Sequence, residues 1–345
     1  MFGVVLCFVL AATGSSTLHN NTKYTFLGRH FDFDTNGSYG LYWSNSGVAF
    51  AVSGTAHVSV AVRAPADGAR LLIRVNGTDV MRHHLKKEFS GRVSIGDNFD
   101  KSSVHVIEVL KITEDASLKN DKGVLVFEDV YIDEGSGVFL PPPQLHEEGR
   151  HLEFIGDSDT AGFCSDGSPK SKDNDNKVED SSITWAAQLA RSLNASMSVE
   201  AVSGWGVTEY SQPIQPLLRY ADGIGGKHPW QPAVSTRPSA VLILIGPNDY
   251  TSSKNPKDEY FIKRYTELFQ YVEESYGGGN GTIIVNVCGG SGNGFDPCPN
   301  IKTASDRWNT DAADDSSKPE SHFLSLTHKE WHKINAKDGD SSFNG

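Results

Sequence analysis

In the stretch "HLEFIGDSDTAGF", residues 151–163, Ser158 follows the strand-like Leu152-Glu153-Phe154-Ile155 through a small-residue bend, Gly156-Asp157. A serine hydroxyl is a poor nucleophile until a base takes its proton. Its attack on a carbonyl then creates an oxyanion that needs hydrogen-bond donors. Two later stretches offer such donors. Gly204 of "AVSGWG" supplies a backbone N–H with no side chain to obstruct a substrate, and Asn248 of "GPND" supplies a side-chain amide. Each motif alone is weak, because a Gly after a strand is commonly a turn and Asn-Asp commonly caps a helix. Three in order, each ending a strand, point together to a nucleophile elbow with its oxyanion hole. Asp157 is expected to hydrogen-bond the elbow's own backbone, and Asp249 to cap or brace a loop. Trp205 and Trp230 can stack on a sugar ring. Trp205 reads equally well as buried packing, whereas Trp230, in "GGKHPWQP", is the exposed candidate for glycan stacking.

The elements that must position these groups change character midway. From about 24 to 140 the chain reads as strand after strand: "LYWSNSGVAFAV", "HVSVAVRA", "ARLLIRVNG", "SSVHVIEVLKI" and "GVLVFEDVYID". Gly, Asn and Asp separate them and no helix-period segment intervenes, which gives an antiparallel β-sandwich of jelly-roll type. "PPPQLHEEG" is a linker, since three prolines cannot sit inside a sheet. From 150 onward strands alternate with helices. The strand 152–155 is followed by the amphipathic "SITWAAQLARSLN", whose Ile183, Ala186, Ala187 and Ala190 share a face. Then come "MSVEAVSG", the apolar "AVLILIGPNDY", a helix over 257–275 and the strand "TIIVNVCGG". That alternation specifies an α/β domain with a parallel sheet, whose function belongs at the carboxyl ends of the strands. The polar stretch 165–182 reads as a solvated insertion.

The chain carries 31 basic and 43 acidic residues, a net charge of −12, which argues against nucleic acid or an anionic membrane as partner. The apolar run from Phe2 to Ala12 is too short to span a bilayer. With the small residues after it, residues 1–17 read as a secretory signal peptide. Sites of the N-x-S/T type at Asn20, Asn36, Asn76, Asn194 and Asn280 agree with a secreted, extracellular glycoprotein. Cys288 and Cys298 flank "GGSGNGFDP" and are the expected disulfide, leaving Cys164 over. The histidines are scattered, no Cys or His set has ligand spacing, and no phosphate loop follows a strand. Neither a metal nor a cofactor is expected.

"GDSDTAG", the Gly of "VSGWG" and "GPND" resemble three of the four blocks of the SGNH, or GDSL-type, hydrolases, whose α/β domain is flavodoxin-like. A β-sandwich ahead of such a domain is similar to the second family of carbohydrate esterases, which remove acetyl groups from xylan and related glycans. Gly28-Arg29, "YWSNSGVAFAVSG" and "VHVIEVLKITE" resemble that family's sandwich strands. The resemblance implies that Ser158 is the nucleophile of an acyl-enzyme mechanism, its own N–H joining Gly204 and Asn248 in the oxyanion hole. The implied substrate is an acetylated polysaccharide or oligosaccharide.

Two departures from the family stand out. The residue after the nucleophile, usually Ile or Leu, is Asp159 here. The fourth block should supply a catalytic histidine before a final helix. "HFLSLT" reads as the last strand and "DGDSSFNG" as a loop leading toward that histidine, yet none follows Asp338, so the domain over 150–345 reads as truncated at its C-terminus. His322, His328 and His332 are expected at the surface, with His332 kept as the candidate base. The alternative function is a glycan-binding pseudoenzyme that lacks the catalytic histidine.

Overall fold

The computed structural model describes residues 23–114, 123–146, 150–167, 177–232, 237–250, 255–277, 281–289, 296–312, 315, 318–326 and 330. The expected signal segment, His328 and His332 lie outside them.

Strands are numbered in chain order. The first sheet is antiparallel and runs β1 (Thr25–Leu27), β4 (Ser46–Ser53), β9 (His105–Lys111), β6 (Ala69–Val75) and β7 (Thr78–Leu85), with β11 (Val138–Phe139) also pairing with β4. The second, also antiparallel, runs β2 (Phe31–Asp32), β3 (Tyr39–Leu41), β10 (Leu125–Ile132), β5 (Val58–Arg63) and β8 (Ser90–Gly96). Alternate residues of each sheet face inward, as a period of two requires. Val48, Phe50 and Val52 of β4 meet Val58, Val60 and Val62 of β5 in one core cluster. The sandwich is therefore as expected. Strand β7 has no clear signal in the sequence, because this edge strand is mostly exposed and "TDVMRHHL" turns only Met81 and Leu85 to the core.

The second half is the expected parallel sheet: β12 (His151–Gly156), β13 (Ser196–Ala201), β14 (Ala240–Leu244), β15 (Ile283–Gly289) and β16 (Ser321–Leu326), in the order β13-β12-β14-β15-β16. In domain-local terms that is 2-1-3-4-5, the flavodoxin-like order, whose switch point lies between β12 and β14. Helices cover both faces. Helix α1 (Ser158–Ala161) and α2 (Trp185–Ser192) pack with Phe154 on one face, while α3 (Asp258–Tyr276) and α4 (Cys298–Ala312) pack with Ile155 on the other.

A single apolar cluster joins the two halves: Phe31, Tyr42 and Trp43 of the sandwich pack with Ile214, Leu218 and Ala221. Within this junction the fully buried Arg29 forms ion pairs with Glu200 (Nε–Oε1 2.8 Å) and Glu153 (Nη2–Oε1 3.3 Å). It also donates to Leu218 O (2.5 Å) and the Tyr271 hydroxyl (2.6 Å). The insertion departs from expectation. Residues 168–176 lie outside the described set, but Glu179, Asp180, Ser181 and Ser182 are buried rather than solvated. They dock on the sandwich: Arg82 pairs with Asp180 (2.7 Å), Arg70 donates to Glu179 O (2.8 Å), and Ser181 N–H donates to Ile112 O (2.9 Å). Two sandwich arginines and one carbonyl thus supply the partners that let a polar stretch leave water.

Candidate active site

Ser158 opens α1 directly beyond β12. In the sheet Gly156 pairs with Ala201 of β13 on one side and Leu244 of β14 on the other. Ser158, Gly204 and Asn248 therefore leave three adjacent strands at the same edge, with Ser158 and Asn248 flanking the switch point. The bend is tight. A Cβ on Gly156 would collide with the Thr160 side chain, and Trp185 Nε1 pins that side chain by donating to Thr160 Oγ1 (3.1 Å). Asp157 caps α1 by accepting from Asp159 N (3.3 Å), as expected, and Asp159 itself is exposed.

Two backbone donors at this edge are unspent. Among the described residues neither the Ser158 N–H nor the Gly204 N–H has a hydrogen-bond partner. Gly204 sits in the turn 202–205, closed by Trp205 N–H to Val202 O (3.2 Å), with φ +80°, the left-handed conformation that a type II turn reserves for Gly at its third position. Nothing lies within 4 Å of where its side chain would project. The third expected donor is engaged differently: Asn248 Nδ2 donates to Asp157 Oδ2 (3.1 Å) and to Trp205 O (2.8 Å). The amide thus ties the loops after β12, β13 and β14 together.

The carboxylates around the serine have structural partners. Asp249 accepts from Val207 N, Thr208 N (both 2.9 Å), Thr208 Oγ1 (2.5 Å) and Ser211 Oγ (3.0 Å), bracing the loop after Gly206. Burial nevertheless holds its carboxyl above the usual carboxylate range. Burial also pushes Asp157 well above that range, and Asp159 beside it adds to the shift. A carboxylate the sequence reading missed, Glu114 of the sandwich, accepts from Ser203 N at 2.6 Å. Nothing in the sequence around Glu114 announces this contact.

Other candidates lie elsewhere. Trp230 is half-buried rather than exposed, with Arg29 over its ring at 5.0 Å from the centroid. It lines a cavity of about 440 Å³ with Leu218, Tyr271 and Glu274. Tyr271 and Tyr276, at the end of α3, reach Glu153 near the start of β12, so this cavity lies at the sheet edge opposite Ser158. Trp205 is buried against the core. His322, second residue of β16, is exposed near the same far edge, 3.6 Å from Glu320. Cys288 and Cys298 form a disulfide across a Cα–Cα distance of 5.7 Å. With Asp296 they are the one grouping of metal-ligating residue types among the described residues, but both sulfurs are committed to each other.

Residues 154–343, more than half of the chain, match the GDSL-like Lipase/Acylhydrolase family. The chain belongs to that family. The match takes in the serine, glycine and asparagine blocks and continues past His328 and His332. Among curated proteins, 150 residues, 42% of the chain, are 35% identical to the cellulase/esterase CelE of Acetivibrio thermocellus. They span 18% of that relative's length. Among solved structures, a family two carbohydrate esterase from Clostridium thermocellum in complex with cellohexaose superposes with a TM-score of 0.75 at 23% identity, covering 90% of this chain and 95% of that one. An acetyl xylan esterase from the rumen bacterium Butyrivibrio proteoclasticus gives 0.74 at 18% identity, over 89% and 88% of the two chains. Sandwich and α/β domain together therefore have the fold of family two carbohydrate esterases.

Proposed function

We propose that this member of the family is a secreted esterase that removes acetyl groups from a polysaccharide, with Ser158 as nucleophile. The observation that carries the reading is the pair of N–H groups, Ser158 and Gly204, that have no hydrogen-bond partner among the described residues and lie just beyond the ends of the adjacent strands β12 and β13. In the reaction Ser158 Oγ attacks the acetyl carbonyl while a base takes its proton. The oxyanion receives the two N–H groups, and Asn248 joins them when its amide turns from Asp157. The sugar hydroxyl leaves with the proton, and water then releases acetate from the acyl-enzyme. For the base we assign His332, which follows β16; Leu326 ends that strand beside Gly289, at the edge that carries the serine. The glycan substrate rests on the relatives solved with cellohexaose or known as acetyl xylan esterases. Secretion accords with the disulfide and with exposed N-x-S/T asparagines at 36, 76 and 194.

Acetate release from acetylated xylan tests the proposal. Ser158→Ala should abolish it at unchanged melting temperature, and His332→Ala should lower kcat by more than about 10³. Loss on His328→Ala instead would reassign the base. One observation favours a second reading, glycan binding without hydrolysis: both protons of the Asn248 amide are engaged within the protein. Acetate release by the unmodified chain would eliminate it.

A further inference from the structure

The sandwich contributes one polar side chain to the turn that carries Gly204, and its geometry is more specific than domain packing requires. Glu114 lies just beyond β9, and the segment leading to it is clamped from several directions. Lys111 Nζ donates to Thr113 O (2.5 Å), Arg70 N to Thr113 Oγ1 (3.3 Å), and Ser181 to Ile112 O from both its N–H (2.9 Å) and its hydroxyl (3.1 Å). The Glu114 N–H itself donates to the buried Glu179 side chain. From this fixed base the Glu114 carboxylate reaches the Ser203 N–H at 2.6 Å, a charge-assisted bond.

The turn 202–205 has four amides. Val202 N–H donates to Gly156 O (3.2 Å), Ser203 N–H to Glu114, and Trp205 N–H to Val202 O (3.2 Å). Only the Gly204 N–H is left over. Tethers therefore hold the peptide units on either side of the Ser203–Gly204 peptide, one of them by Glu114. We propose that Glu114 is a positioning residue for the oxyanion hole, aiming the Gly204 N–H at the reacting carbonyl from the sandwich side. The sandwich is thereby part of the catalytic apparatus. This inference rests on the proposed hydrolysis at Ser158. An oxyanion donor matters only if it is already aimed where charge develops, and losing one costs about 10²–10³ in turnover. Loosening one costs less.

The test uses the full chain and three variants. Glu114→Ala removes the acceptor, Glu114→Asp keeps the charge but falls short of Ser203, and Glu114→Gln keeps the reach and an acceptor oxygen without the charge. The expected result is a kcat about ten- to a hundredfold lower for Ala and Asp, with KM within about twofold. Gln should stay within about threefold of the unmodified enzyme. Full kcat in both the Ala and Asp variants, or a loss shared equally by Gln, overturns the proposal; if Ala fails to fold, Asp and Gln decide. Amide hydrogen exchange at Ser203 supplies a readout that needs no activity. It should accelerate in Ala and Asp but not in Gln, and unchanged exchange in Ala and Asp would also overturn the role. If the unmodified chain releases no acetate, the ester-hydrolase reading fails, and exchange still shows whether Glu114 sets this turn.

Discussion

The two edges of the parallel sheet handle polar groups in opposite ways. At the far edge and reaching inward from it, Arg29 is shut away from water beside Glu153 and Glu200: Glu153, in the first half of β12, accepts from Tyr271 and Tyr276, and Glu200, one residue before the end of β13, is the ion-pair partner of Arg29. At the near edge, Ser158 is half-buried and two backbone donors have no partner among the described residues. A buried charge is tolerated only when paired, so the far edge is organised for holding the sandwich against the α/β domain. Unspent donors at a solvent-facing edge cost little while water can reach them, and they become useful when a substrate displaces that water. Substitutions should therefore separate cleanly: those at the far edge change stability, and those at the near edge change turnover.

Arg29→Met is the strongest test of that separation. It leaves Glu153 and Glu200 buried without their cation, and removing one partner of a buried ion pair costs about 3–5 kcal/mol. Chemical unfolding should register that loss, while the kcat of the molecules still folded stays near the unmodified value. Changing both glutamates to Gln in the same background should recover much of the stability. A kcat that collapses while stability holds would erase the distinction between the edges. Asn248→Ala probes the near edge. If its amide turns toward the oxyanion, kcat on an acetyl ester should fall by about 10²–10³ with little change in melting temperature. If the amide serves only to tie Asp157 to the loop after β13, the melting temperature falls and kcat is retained.

The near edge was the more legible of the two in the sequence. Strand ends are marked by apolar runs that break into Gly, Ser, Asn and Asp, so β12, β13 and β14 and the residues after them could be read locally. Helix α3 was likewise visible over 257–275, because Phe261, Ile262, Tyr265, Leu268, Phe269 and Val272 repeat at helical spacing. Helix α4 was not, since "CPNIKTASDRWNTDA" buries only Ile301, Ala304, Ser305 and Trp308, a stripe of four among polar neighbours. The far edge was the least legible. Gly28-Arg29 stands out in the sequence only through the family resemblance, which says nothing of its partners: the burial of Arg29 depends on Glu153, Glu200 and Tyr271, which meet it only after both domains have folded. Glu114 and Ser203 stand 89 residues apart, and neither has a local pattern that names the other.

The subtlest difference between the edges is in their response to acid. His151, at the start of β12, lies against Ser196 Oγ (3.0 Å) and Ser198 Oγ (3.4 Å). Burial, with a smaller contribution from the Arg29 charge, lowers its pKa from 6.5 to about 4. Between those values the unfolded chain binds a proton that the folded chain refuses, so stability rises with pH through this window and is lost as pH falls through it. The loss attributable to one such imidazole is about 3 kcal/mol by pH 4. His30, lowered by burial to about 4 as well, should add a second, similar slope. Urea unfolding at a series of pH values from 7 to 4 should show the decline, and His151→Gln should flatten part of it while leaving the share due to His30. The pH profile of kcat should be indifferent to that substitution, because the imidazole lies at the opposite edge from Ser158. A shift in the kinetic profile on His151→Gln would mean that the two edges are coupled through β12, and the separation argued from their hydrogen bonds would fail.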